Sequence, residues 1–295
     1  MITNTADSGA PDTIVLIHGL WMTPLSWEHW VARYTARGYR VIAPSWPGME
    51  VDIAQLRRDP SPIARLGAGE ILDHYDRIIR QLDRPPIIMG HSFGGAFVQL
   101  LLDRGLGAAG VAVHSAPVRG VLTLPFSTVR SAWPILRNPA NVDKAVALSP
   151  KQFRYAFTNT LSEQASAKAY NRYHVPGAGR VLFQGALANV HARTTFRVDF
   201  SRDDRAPLLF VAGGRDRIVP ASVNKSNAAK YKTSKAITGY RVFPDRSHFT
   251  LAQAGWDTVA DYALAWAAKN ATARAAGSSR LPQPAARTPD VTVGV

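Results

Sequence analysis

The chain has 295 residues, of which 46% are hydrophobic and 19% are charged, and it contains no cysteine. This composition predicts a globular protein with a substantial core, arranged as one large domain or two small ones. The absence of cysteine excludes disulfide bonds, thiolate nucleophiles and cysteine-ligated metal sites.

The formal net charge of +14 is high for a chain of this size. A basic surface attracts anionic partners, but no zinc-finger spacing, basic helix or RNP-like motif supports nucleic-acid binding. We therefore expect no nucleic-acid partner and interpret the charge as a solvated basic surface. Attraction of an acidic substrate remains open.

The N-terminal sequence MITNTADSGAPDT lacks the basic and apolar regions of a signal peptide. The sequence contains no run of eighteen or more apolar residues, which is the length that a transmembrane helix needs. We expect a cytoplasmic protein with no membrane insertion, although a secreted protein after processing would look the same. The sequence does not indicate an oligomeric state.

Short apolar segments alternate with segments of helical periodicity along much of the chain. The predicted strands are Thr13–His18, Tyr39–Ala43, Pro86–Met89, Val111–His114, Leu208–Ala212 and Tyr240–Phe243. The predicted helices between and after them are Trp27–Arg37, Gly67–Leu82, Ser92–Arg104, Pro220–Tyr231 and Gln253–Lys269. This alternation predicts an α/β fold with a mainly parallel, six-stranded sheet flanked by helices.

About ninety residues separate the fourth and fifth predicted strands, too many for an unstructured loop in a compact domain. We predict an inserted helical cap over residues 119–206, which has thirteen Lys/Arg against five Asp/Glu and helical segments at Lys151–Phe157 and Ser162–Tyr173. The core is predicted to comprise residues 13–118 and 207–270. Residues 1–12 form a lead-in, and the Ala/Arg/Pro-rich residues 271–295 are predicted to be disordered.

The sequence GHSFGG, residues 90–95, directly follows the third predicted strand and precedes a helix. Small residues on both sides of Ser92 allow a tight strand-to-helix turn that exposes the serine hydroxyl at the helix N-terminus. Gly-X-Ser-X-Gly in this context indicates a nucleophile, which Ser92 would supply. The alternative is a serine in an ordinary turn.

An acid and a base follow the fifth and sixth strands. Asp216, in GGRD, can accept a hydrogen bond from an imidazole, and His248, in RSHF, can deprotonate a serine hydroxyl. Asp245 is a second candidate for the acid. Sheets of this type bind ligands beyond the carboxyl ends of their strands, so we expect Ser92, Asp216 and His248 to meet there.

The sequence HGLW, residues 18–21, follows the first strand. Acyl transfer needs two N–H groups that stabilise the developing oxyanion, and we predict the backbone N–H groups of Leu20 and Phe93. His18, His91 and His114 are expected to pack or shape loops and not to act in catalysis.

HGLW, GHSFGG, GGRDRIVP (213–220) and RSHF (246–249), with the order Ser, Asp, His, resemble the α/β-hydrolase superfamily over about residues 13–269. The resemblance implies a catalytic triad of Ser92, Asp216 and His248. The short segment before HG is similar to the methylesterase and hydroxynitrile-lyase group. The lyases carry a lysine after the catalytic histidine, where this chain has Phe249, which disfavours cyanohydrin cleavage.

The substrate pocket is predicted to include Trp21, Trp46, Trp133 and Phe249, although ordinary packing is an alternative for each. No cluster has metal-ligand spacing, and no Rossmann or Walker pattern is present, so we expect no metal and no cofactor.

These features predict a serine hydrolase of ester or lactone bonds in a small, largely hydrophobic molecule. Two alternatives keep the same triad residues. One is a C–C bond hydrolase or a cofactor-free perhydrolase or haloperoxidase. The other is a ligand-binding, receptor-like homologue with little turnover.

Overall fold

The structure is a computed structural model that describes residues 10–277, with side chains described up to residue 271. Its strands are β1 (Thr13–Ile17), β2 (Arg40–Ile42), β3 (Ile87–His91), β4 (Ala109–Val113), β5 (Ala145–Val146), β6 (Gly177–Ala178), β7 (Leu208–Gly213) and β8 (Thr238–Phe243). Six of them form one sheet in the order β2-β1-β3-β4-β7-β8, and every pairing in it is parallel. The prediction of a six-stranded parallel sheet is confirmed.

Ten α-helices surround this sheet within the described residues. They are α1 (Glu28–Thr35), α2 (Ile53–Arg58), α3 (Ala68–Arg80), α4 (Phe93–Asp103), α5 (Phe126–Leu136), α6 (Pro150–Ala156), α7 (Glu163–Tyr173), α8 (Gly179–Ala186), α9 (Ala221–Lys230) and α10 (Trp256–Gly277). The five helices predicted for the core correspond to α1, α3, α4, α9 and α10.

Successive residues of the central strands face opposite sides of the sheet, as strand geometry requires. In β1, Ile14 and Leu16 pack against α1 and α10, whereas Val15 and Ile17 pack on the side that α3 and α4 cover. All residues of β1, β3, β4 and β7 are buried, but the edge strands β2 and β8 are partly exposed. Burial on both faces explains why the central strands are continuous apolar runs.

The parallel arrangement places the carboxyl ends of all six strands at one edge of the sheet. From β1 the chain runs outward to β2 and then returns to the other side of β1 as β3. Such a change of direction opens a crevice at the strand ends. The residues that follow β1, β3, β4, β7 and β8 are therefore brought close together.

Residues 119–206, hereafter the insert, contain α5 to α8 and the antiparallel pair β5–β6. Helices α6 and α7 occur where the sequence predicts helices, and each begins at a serine N-cap, Ser149 and Ser162. The sequence did not predict α5, which has no side-chain N-cap and contains Pro134. Both features disfavour a helix in a sequence-based prediction.

Helix α10 continues to Gly277, beyond the helix end predicted at Lys269, so the first residues of the predicted disordered tail are helical. The rest of that tail and residues 1–9 of the predicted lead-in lie outside the described residues. None of the described helices is both long and apolar enough to cross a membrane.

Candidate active site

Ser92 lies between β3 and α4 with φ 58° and ψ −120°, in the left-handed region that non-glycine residues rarely adopt. The turn around it is too tight for side chains on either side. A Cβ atom on Gly90 would lie 2.1 Å from the carbonyl oxygen of Gly94, and one on Gly94 would lie 2.2 Å from that of Ile17. The two glycines of the motif are therefore required by the fold.

Strained backbone is concentrated at the carboxyl edge of the sheet. Among the described residues, the non-glycine residues with positive φ are Trp21, Ser92 and His114, which follow β1, β3 and β4. Strain of this kind costs about 1–3 kcal/mol per residue and is found preferentially at functional sites. Its clustering at one edge marks that edge as the candidate site.

Asp216 follows β7 and is buried. Its Oδ1 atom accepts hydrogen bonds from the backbone N–H groups of Ile218 and Val219, each at 2.8 Å. Its Oδ2 atom accepts from two imidazole Nδ1 atoms, of His248 and His114, each at 2.7 Å. Burial alone would raise the pKa of Asp216, but the two histidines hold it well below its ordinary value. The carboxylate therefore stays ionised.

Asp245, the second candidate for the acid, is exposed, and its backbone carbonyl accepts a hydrogen bond from Gln253. The structure thus brings Asp216, and not Asp245, to the imidazole of His248.

His248 is fully buried in the loop after β8. Because Nδ1 donates to Asp216, the neutral ring carries its proton there and leaves Nε2 as the basic atom. Among the described residues, Nε2 has no hydrogen-bond partner, so it is not bonded to Ser92. Hydrogen bonds between a base and a nucleophile often tighten only when substrate is bound.

The turn that carries Ser92 is joined to the loop of His248 through His91. The Nε2 atom of His91 donates to the carbonyl oxygen of His248 at 2.9 Å, and the two ring centroids are 4.6 Å apart. Burial, with the neighbouring histidines, lowers the pKa of His91 well below its ordinary value. His91 is therefore neutral and packs at the site, as the sequence predicted.

His114 differs from the expectation that it only packs. It follows β4 directly, is fully buried, and shares the Oδ2 atom of Asp216 with His248. Burial lowers the pKa of His114, and the hydrogen bond to Asp216 opposes that shift. The position at the end of the fourth predicted strand was a signal for this residue, but its pairing with a carboxylate 102 residues away was not visible in the sequence.

The loop after β1 packs directly against the turn of Ser92. A Cβ atom on Gly19 would lie 2.8 Å from the Cβ atom of Ser92, so only glycine fits there. Within the described residues, neither the Leu20 nor the Phe93 backbone N–H donates a hydrogen bond. Both N–H groups are thus unengaged, and Phe93 stands at the N-terminus of α4, where the helix favours negative charge.

His18 shapes this loop. Its Nδ1 atom donates to the carbonyl oxygen of Gly19 at 3.0 Å, and its Nε2 atom accepts from the backbone N–H of Trp46 at 3.2 Å. The ring stacks on Trp46 with centroids 4.8 Å apart. Burial lowers the pKa of His18 to about 4, which keeps the ring neutral and able to accept.

Three of the four predicted pocket residues, Trp21, Trp46 and Phe249, are buried. The indole N–H of Trp21 donates to Val146 of the insert, and the backbone N–H of Phe249 donates to Phe157 of the insert. Trp133 lies on α5 with 59% of its surface exposed, so the structure does not bring it into this cluster.

Phe157 contacts the base directly, because its ring meets that of His248 edge-on with centroids 5.0 Å apart. The ring of Trp21 meets Phe157 edge-on in turn, with centroids 6.1 Å apart, so aromatic carbon continues from the base to the loop after β1.

Among the described residues, one group of side chains could ligate a metal ion, namely His114, Asp216 and His248. Both Nδ1 atoms lie at hydrogen-bond distance from the same carboxylate oxygen. The geometry is that of two imidazoles donating to one acid.

The sequence model described as "Alpha/beta hydrolase family" matches residues 14–288. Among curated proteins, the chain is 28% identical over 250 residues to a magnesium-chelatase 30 kDa subunit of Rhodobacter capsulatus, covering 76% of this chain and 78% of that protein. It is 26% identical over 261 residues to a non-heme haloperoxidase of Rhodococcus erythropolis, covering 82% and 87%. Among solved structures, a methylesterase from Arabidopsis matches with a TM-score of 0.61 and 11% identity, covering 86% of this chain and 98% of that one.

Proposed function

Because the chain belongs to the alpha/beta hydrolase family, we propose that it is a serine hydrolase of carboxylic ester or lactone bonds in small, largely hydrophobic molecules. The observation that carries this proposal is the 2.7 Å hydrogen bond between His248 Nδ1 and the ionised Asp216, beside the strained turn of Ser92.

In the proposed reaction, His248 Nε2 takes the hydroxyl proton of Ser92 as its oxygen attacks the carbonyl carbon of the substrate. Asp216 remains ionised and stabilises the imidazolium that forms. Its Oδ1 atom is held by two backbone N–H groups, which fix the carboxylate while Oδ2 accepts from the ring.

The backbone N–H groups of Leu20 and Phe93 would stabilise the oxyanion. Removal of one such donor typically costs about 10²–10³ in kcat. The imidazolium then returns its proton to the leaving alkoxide, which leaves an acyl group on Ser92. Attack by water, deprotonated by the same imidazole, releases the acid.

The ring of Phe157 against His248, and that of Trp21 against Phe157, support a hydrophobic acyl or aryl group in the substrate, because pockets lined by aromatic carbon favour apolar ligands. We further propose that the insert acts as the cap of this pocket. It contacts the site through the bonds from Trp21 to Val146 and from Phe249 to Phe157.

The test is to react the full chain with a fluorophosphonate probe, read by intact mass, and with p-nitrophenyl esters of increasing acyl length. We expect one adduct per chain and measurable turnover, with both lost in Ser92→Ala, which should reduce kcat by about 10³-fold or more. A matched control is Ser131→Ala, which removes a buried serine of the insert that bonds to Ser127. If Ser92→Ala retained turnover, Ser92 would not be the nucleophile.

A second candidate function is a cofactor-free perhydrolase or haloperoxidase, which the similarity to the Rhodococcus protein favours. In that reaction hydrogen peroxide, and not water, would attack the acyl group on Ser92 and release a peracid. Supplying acetate and hydrogen peroxide and measuring peracid, beside hydrolysis of p-nitrophenyl acetate, separates the two. Peracid formation faster than hydrolysis would favour the second function.

A further inference from the structure

The outer face of the insert carries most of the large exposed apolar side chains. Of the nine such residues among those described, five are Leu122, Leu124, Phe126, Val129 and Trp133. We refer to these five as the apolar face. Exposed apolar residues scattered singly need no explanation, whereas a contiguous group of them marks a binding surface.

The backbone fixes which of these residues point outward. In the extended segment before α5, Val121 is buried against Val219 and Val223, and Thr123 donates to Ser226 at 2.7 Å. The alternate residues Leu122 and Leu124 are 76% and 69% exposed. The outward direction is therefore imposed by anchoring of the residues between them.

Helix α5 continues the same face with helical spacing. Phe126, Val129 and Trp133 are separated by three and four residues and share one side of the helix, while Ser131 and Ile135 face inward and are buried. Ser131 donates to the carbonyl oxygen of Ser127, and Ile135 packs in the core. The helix thus presents its large apolar side chains to solvent.

Two further exposed apolar residues, Leu187 and Val190, lie beside the apolar face. Asn189, between them, accepts from the Gly120 N–H and donates to the carbonyl oxygen of Val121. These bonds connect the end of α8 to the start of the extended segment and enlarge the apolar area.

The segments that carry the apolar face and pack beside it contain basic residues and no acidic ones. Residues 115–142, 164–198 and 217–244 contain no aspartate or glutamate. The surrounding arginines within the described residues form no ion pair with an acid, unlike many arginines elsewhere in the chain. These cations are Arg119, Arg130, Arg137, Arg193 and Arg217.

Several of these arginines are held by contacts that leave their charge uncompensated. Arg119 donates to the carbonyl oxygens of His191 and Ala192, next to Val190. Arg130 and Arg217 both lie over the ring of Tyr155, with their guanidinium carbons 4.3 and 4.7 Å from its centroid. Their positive charge is thus fixed near the apolar face.

We propose that the apolar face docks the protein on a lipid bilayer that contains anionic headgroups. Leu, Phe and Trp side chains insert at the boundary between headgroups and acyl chains, and arginines beside them attract anionic lipid. A second copy of the chain fits less well, because a two-fold interface would place these arginines against their own copies with no acid to pair them. The contact is peripheral and requires no membrane-spanning segment.

The test is co-sedimentation of the full chain with vesicles of phosphatidylcholine alone or mixed with phosphatidylglycerol. We expect binding to the mixed vesicles, weaker binding to phosphatidylcholine, and weakening by salt. Leu124→Ser/Phe126→Ser should reduce binding about tenfold or more, since each side chain loses its apolar contact. Arg130→Gln/Arg137→Gln should weaken binding to the mixed vesicles, roughly fivefold per charge, with little change on phosphatidylcholine.

The matched control is Val51→Ser/Ile237→Ser, which removes two exposed apolar side chains elsewhere on the surface and should bind as the wild type does. Thermal unfolding of each variant verifies its fold. The proposal is overturned if the wild type does not bind the mixed vesicles, or if Leu124→Ser/Phe126→Ser binds as well as the control. It is also overturned if the wild type forms a dimer, by sedimentation velocity, that this variant loses while vesicle binding persists.

Discussion

The carboxyl edge of the sheet and the outer face of the insert depart from ordinary packing in opposite directions. At the sheet edge, Asp216, His114 and His248 are polar and fully enclosed, and they satisfy one another through a shared carboxylate oxygen. On the insert, Phe126 and Trp133 are apolar and open to solvent, at 77% and 59% exposure. Buried polar groups and exposed apolar patches are the two observations that carry information beyond stability.

The difference between the two regions lies in what holds them. Each oxygen atom of the Asp216 carboxylate has hydrogen-bond partners within the protein, so removing one of these partners leaves part of a buried charge without a hydrogen bond. The apolar face makes no comparable demand on the fold, because water already surrounds it. Substitutions at the sheet edge should therefore alter chemistry strongly, and those on the apolar face should alter the fold very little.

The largest effect is expected at the carboxylate. Asp216→Asn should lower kcat/KM for a p-nitrophenyl ester by about 10³–10⁴-fold, because a neutral amide does not stabilise the imidazolium. Its NH2 group also replaces one acceptor oxygen, so either the two imidazoles or the two backbone N–H groups lose their acceptor. Asp245→Asn is the matched control, since Asp245 is exposed. Should the control lose activity and Asp216→Asn keep it, the roles of the two acids would have to be exchanged.

A second comparison separates the inner from the outer surface of the insert. Phe153 is fully buried, and its ring stacks on Phe157 with centroids 4.9 Å apart. Phe153→Ala should lower the free energy of unfolding by about 3–5 kcal/mol. Phe126→Ala should change it by less than about 0.5 kcal/mol, since the ring is exposed. Urea unfolding of the two variants measures both, and equal losses would mean that Phe126 packs as a core residue.

The sequence predicts the local features of the sheet edge but not the contacts between distant parts of the chain. The six strands and the positions of Ser92, Asp216 and His248 were predictable, because a strand end is marked locally by where an apolar run stops. The shared hydrogen bond of His114 was not, because it depends on β4 lying beside β7 after an insertion of some ninety residues. The backbone N–H of His114 donates to the carbonyl oxygen of Val211 across that pairing.

The exposure of the apolar face could not be predicted from the sequence for a different reason. Apolar residues at helical spacing ordinarily indicate the side of a helix that packs on the core. In α5 the same spacing marks the side that faces water, and Pro134 further weakened the helical pattern. Exposure depends on which neighbours cover a helix, and the sequence of the helix does not contain that information.

The smallest effect expected at the sheet edge is at His114. Its neutral ring donates to the oxygen that also serves His248, so part of the carboxylate charge is already engaged. His114→Phe should therefore leave more of that charge to stabilise the His248 imidazolium. We expect the acid limb of the pH profile of kcat/KM to move to higher pH by up to about one unit. At neutral pH we expect kcat/KM to fall by roughly tenfold or less, because Asp216 loses the hydrogen bond that helps to hold it in place.

Stability provides an independent readout of the same residue. Burial lowers the pKa of His114 below its ordinary value of 6.5. As the pH falls below 6.5, the unfolded chain therefore binds a proton that the folded protein does not, and the native state loses stability. His114→Phe removes this contribution, so the free energy of unfolding should fall less steeply on acidification than in the wild type. His114→Gln, which keeps a donor, should restore the acid limb but not the slope. If the pH profile of kcat/KM is unchanged in His114→Phe and only the stability is altered, His114 is a packing residue that does not act on His248 through Asp216.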